Sequence, residues 1–73
     1  MDSKTEIIEK LLTLKDNEHM HFNMFQGGGS VCHKCNGMYL LFEISQYGIN
    51  EYYEGTYSVS ELDKLVDKAL SFI

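Results

Sequence analysis

The chain has 73 residues and a formal net charge of −5, from eleven acidic and six basic side chains, with 44% hydrophobic and 12% aromatic residues. That length leaves room for one hydrophobic core, so a single domain over residues 1–73 is expected, and the composition is that of a chain that folds. The excess of carboxylates, with lysine as the sole basic residue type, argues against nucleic acid as a direct ligand, since nothing offers the arginine fork that grips phosphate and guanine.

No run of apolar residues is long enough for a membrane span. Met38-Tyr39-Leu40-Leu41-Phe42 is among the longest, against the roughly 20 residues a helix needs to cross a bilayer. The charged start MDSKTEIIEK has no secretory pattern, and two cysteines without a disulfide framework point to a reducing cytoplasm.

Ser3 and Glu6 have capping-box spacing, and Ile7, Ile8, Leu11 and Leu12 then recur at helical intervals until Asp16-Asn17. A first amphipathic helix is expected there. The period then changes to two. Met20, Phe22 and Met24 alternate with His19, His21 and Asn23, which is the pattern of a half-buried strand. A second strand follows from Met38 to Ser45. A third, Glu51 to Tyr57, comes after a turn containing Gly48 and Asn50, so that these two form a hairpin. Ser58-x-x-Glu61 opens a second helix with Leu62, Leu65, Val66, Ala69, Leu70 and Ile73 on one stripe. Residues 26–37, with Gly27-Gly28-Gly29-Ser30, read as a long flexible loop.

The expected fold is therefore α+β, in the order α-β-β-β-α, with a three-stranded, mainly antiparallel sheet and two helices on one face. Alternation then assigns the faces. With Met20, Phe22, Met24, Met38, Leu40, Phe42 and Ile44 turned to the helices, the opposite side receives His19, His21, Phe25, Tyr39, Leu41, Glu43 and part of the tyrosine-rich last strand. Large aromatic side chains on an uncovered sheet face suit partner recognition. Phe25, Tyr39, Leu41, Glu43, Tyr53 and Tyr57 are the expected partner-binding residues.

Cys32-His33-Lys34-Cys35-Asn36-Gly37 is the one short motif with chemical potential. Two cysteines separated by two residues can hold one edge of a metal site, and Cys32, Cys35, His19 and His21 make a formal set of four zinc ligands. The loop must fold back across the sheet to bring them together. Redox catalysis lacks the βαβ setting that activates such a thiol pair, and no serine or carboxylate pair forms a catalytic set.

The leading expectation is a non-enzymatic, small acidic binding protein, a regulator or inhibitor that docks on a protein partner through the open sheet face and the 26–37 loop. Small acidic αβ proteins of this outline recur among phage-encoded inhibitors of host enzymes and nucleases, an analogy of architecture alone. No cofactor is required by that reading. The alternatives are a zinc module built on Cys32, Cys35, His19 and His21, and a structural homodimer.

Overall fold

The computed structural model describes residues 4–25, 28–45 and 50–71, with the backbone alone described at residues 23–25 and 28. Chain order is α1 (Lys4–Thr13), β1 (His19–Phe25), β2 (Gly28–Cys35), β3 (Met38–Ile44), β4 (Glu51–Tyr57), a 3-10 turn over Val59–Glu61, and α2 (Leu62–Leu70). The fold is α+β, with one antiparallel sheet in the order β1-β2-β3-β4. Among the described residues no helix is long and apolar enough to cross a membrane.

The sheet has four strands rather than the three expected, because the glycine-rich segment is itself a strand. Gly28, Gly29 and Ser30 carry little β propensity and no alternation, yet β2 pairs along both edges, with β1 on one side and β3 on the other. Asn36 and Gly37, with φ of 52° and 76°, supply the two positive-φ positions of a type I′ turn. That turn joins Cys35 to its partner Met38. The Asn-Gly pair therefore closes the β2-β3 hairpin.

The other boundaries follow local chemistry. Helix α1 stops at Thr13, whose hydroxyl donates to the Lys10 carbonyl at 2.7 Å, short of the expected Asp16-Asn17. Asp16 instead accepts the Gly37 N–H at 3.2 Å, tying the α1-β1 connection to the β2-β3 turn. Ser3 of the first capping box and Gly48 of the turn expected before Glu51 lie outside the described residues. The β3-β4 hairpin is closed by the Ser45 N–H on the Asn50 carbonyl at 2.8 Å and the Asn50 N–H on Ser45 Oγ at 2.9 Å. The second capping box is present. Glu61 Oε1 accepts from the Ser58 N–H and hydroxyl at 3.2 and 3.1 Å, and these bonds hold the Glu61 carboxyl below its usual range. Its first turn is 3-10, with α2 proper beginning at Leu62.

Both helices lie on one side of the sheet. Ile7 and Leu11 of α1 and Leu62, Leu65, Val66 and Ala69 of α2 pack with Phe22, Cys32, Tyr39 and Leu41 in one core. Two polar links fix the layers. Tyr39 donates its hydroxyl to the Leu11 carbonyl at 2.9 Å, and Ser30 donates to the Ala69 carbonyl at 3.1 Å, both in buried surroundings. Ser30 and Cys32 are small, and with Ala69 they let α2 approach β2 closely enough for that second bond.

The facing of β3 is the reverse of the expectation. Tyr39 and Leu41 are wholly enclosed beneath the helices, so neither presents any surface to a partner, while Met38, Leu40, Phe42 and Ile44 take the opposite side. The apolar run Met38–Phe42 satisfies either parity, and pairing with β2 decides between them. The type I′ turn sets Cys32 against Leu41 and Lys34 against Tyr39, and Cys32 pairs with Met20 on the side that carries Phe22. With residues 26–37 as a loop nothing constrains the register of β3, and a one-residue shift in register inverts every side chain of the strand.

Candidate interaction surface

The sheet side away from the helices carries a row of rings that crosses all four strands. It begins on β1 with His21 and His19, whose ring centroids are 5.1 Å apart. His19 lies 5.4 Å from His33 of β2, His33 lies 5.4 Å from Phe42 of β3, and Phe42 lies 5.7 Å from Tyr53 of β4. Register builds this row. His19 is the cross-strand partner of His33 and Phe42 that of Tyr53, while alternation keeps His21 on the same side as His19. Most of the contacts are edge-to-face, the arrangement favoured by aromatic quadrupoles.

The rest of the surface is mixed. Leu40 is half-buried, Met38 is 37% and Tyr53 58% exposed, and Val31 and Ile44 on the same side are almost fully enclosed. Glu51 lies at the β4 border, its carboxylate 3.4 Å from His33 Nε2. The Tyr53 hydroxyl is hydrogen-bonded to the Thr56 hydroxyl, which steers the ring across the end of the row. The acidic and lysine side chains of the two helices occupy the far side of the molecule, where Lys4 pairs with Asp67 at 2.8 Å. Both partners are well exposed, so that pair contributes at most about 1 kcal/mol.

Of the six expected partner-binding residues, Tyr53 is on this side, away from the helices, and exposed. Tyr39 and Leu41 are in the core. Tyr57, the partner of Tyr39 across the β3-β4 pair, is half-buried against that core. Glu43 is opposite Ser30 on the helix side and half-buried. The Phe25 side chain lies outside the described residues. The row also contains Phe42 and His33, which strand parity and the loop assignment had placed elsewhere; the signal that identifies them is the Asn-Gly hairpin turn read together with alternation on either side of it.

The Cys-x-x-Cys motif does not assemble a site with the histidines. Three residues along a strand reverse the facing, so Cys32 points into the helix-side core and is fully enclosed, while Cys35 is exposed near the turn. The expected set of Cys32, Cys35, His19 and His21 is therefore split between the two sides of the sheet. As the side chains stand, no group of three His, Cys, Asp or Glu residues among those described surrounds a metal position. Both cysteines are free.

Burial pushes the Cys32 thiol up to about 12 from an ordinary value of 9.0, so it is neither a thiolate ligand nor a nucleophile at neutral pH. The raised value makes folding favour the protonated form. Its contribution to stability is complete below the unfolded-state value near 9.0 and is lost as pH rises from there toward about 12. Native protein should react with a disulfide reagent at one thiol, Cys35, with the second appearing on denaturation. Urea midpoints of Cys32→Ala should show a shallower alkaline decline than wild type; two fast thiols, or identical slopes, would contradict the burial of Cys32.

Comparison with known proteins finds no matching family model, no matching curated protein and no matching solved structure.

Proposed function

We propose that this chain is a non-enzymatic binding module whose uncovered sheet side docks on a protein partner with a basic, arginine-bearing surface. The observation that supports this reading is the five-ring row from His21 to Tyr53, with half-buried Leu40 on the same side and Glu51 at its border. Aromatic faces and carboxylates together suit guanidinium groups, which stack on rings and pair with acids. The net charge of −5 attracts such a partner from a distance and raises the association rate at low salt. A regulator or inhibitor acting on a basic macromolecular enzyme is the functional class this chemistry fits.

Tyr53 is the anchor of this reading, since a large ring with few rotors and an external hydroxyl is the side chain that interface energetics favour. With a captured basic partner, Tyr53→Ala should weaken binding by at least tenfold and Phe42→Ala similarly, while Glu9→Gln on the exposed side of α1 should leave it unchanged. Calorimetry or surface binding at two salt concentrations reads both effects. Equal affinity for Tyr53→Ala and Glu9→Gln would end the proposal. So would sedimentation showing that the row is occupied by a second copy of this chain.

A further inference from the structure

The imidazoles of His19, His21 and His33 are brought to one side of one strand pair by register, independently of how each ring is turned. His19 and His33 are directly opposite across β1 and β2, which puts their Cβ atoms about 5 Å apart. His21 is two residues along from His19, at about 6.7 Å by strand rise. We propose that these three histidines form a binding site for a divalent transition-metal ion of the zinc class, with three imidazole ligands and a fourth position open to solvent.

Two of the three ring spacings fit the metal, and the third pair, the diagonal neighbours His21 and His33 with Cβ atoms about 7–8 Å apart, must close by side-chain rotation. Three imidazoles bound through one nitrogen each to a tetrahedral ion at 2.0–2.1 Å have ring centroids about 5.2 Å apart. The observed separations on either side of His19 are 5.1 and 5.4 Å. What differs is ring rotation: the planes meet at 88° and 39°, so the nitrogens do not converge as they stand. Binding requires the rings to turn about χ1 and χ2. His19 and His21 are exposed and the His33 side chain is 41% exposed, so each has solvent to turn into.

A second observation concerns His33. The Glu51 carboxylate 3.4 Å from its Nε2 is a carboxylate beside a candidate ligand imidazole, the arrangement that orients metal-binding histidines and raises their basicity. Imidazole sets favour zinc, copper, nickel and cobalt over the hard cations, whose preference is oxygen. Neither thiol belongs to the set, because Cys32 is inside the core and Cys35 is beyond His33 near the turn. The site goes beyond partner docking and does not depend on it.

Metal-free protein titrated with Zn²⁺ in a calorimeter, and with Co²⁺ followed by visible absorption, tests the site directly. The expected result is one ion per chain, with the intense Co²⁺ bands of a four-coordinate centre and shifted ring-proton resonances for all three histidines. His19→Ala should weaken Zn²⁺ binding by at least a hundredfold, and His21→Ala and His33→Ala by at least tenfold each, with far-UV circular dichroism unchanged because these side chains are outside the core. Cys35→Ser should bind as wild type does. Unchanged binding in His19→Ala, loss of binding in Cys35→Ser, or one ion per two chains would overturn the proposal. Partner affinity measured with and without chelator separates this result from the docking reading.

Discussion

Tyr39→Ala is expected to cost about 4 kcal/mol, enough to leave a domain of this size largely unfolded at room temperature. The side chain is fully enclosed between β3 and the helices, touches the Ile7-Leu11-Leu65 core, and closes a buried bond from its hydroxyl to the Leu11 carbonyl at 2.9 Å. Removing the ring leaves a cavity and takes from the Leu11 carbonyl one of its two hydrogen bonds, the other being from the Leu14 N–H at 3.1 Å. Tyr39→Phe isolates the second part and should cost about 1 kcal/mol. Urea denaturation of the two variants separates these contributions. A midpoint for Tyr39→Ala close to that of wild type would mean that Tyr39 is not enclosed.

Leu41→Ala and Leu40→Ala form the second test, because adjacent residues of one strand serve opposite sides of the sheet. Leu41 is completely buried beneath α1 and α2, and its truncation should destabilise by about 3 kcal/mol. Leu40 is half-buried on the ring-bearing side, where solvent can fill the space left behind, so its truncation should cost under about 1.5 kcal/mol. Equilibrium unfolding gives both differences. A reversed order would restore the facing that simple alternation suggested. The same pair should behave oppositely in partner binding, with Leu40→Ala weakening it and Leu41→Ala acting through stability alone.

These two pairs of variants mark where sequence reading reached its limit. β4 was legible from Glu51 to Tyr57 with both ends correct, and β1 and β3 to within a residue, because aromatic and β-branched residues between turn signals read clearly. The second helix was legible from Ser58-x-x-Glu61, whose bonds from the Ser58 N–H and hydroxyl to the Glu61 carboxylate depend on nothing remote. β2 was not. Its Gly-Gly-Ser start and its Cys-His-Lys-Cys end resemble a loop with a metal motif, and what makes it a strand is pairing on both edges with β1 and β3. Tertiary context of this kind overrides weak local propensity.

By itself the sequence determined the two amphipathic helices, the antiparallel class of the sheet and the turning of His19 and His21 away from the helices. Each follows from periodicity and capping within a few neighbouring residues. Only the tertiary structure decided the strand count, the inward turn of Tyr39 and Leu41, the separation of Cys32 from Cys35 and the joining of His33, Phe42 and Tyr53 into the ring row. Those depend on which segments pair and in what register, set by a two-residue turn and by the small size of Ser30, Cys32 and Ala69, which lets α2 settle on the sheet.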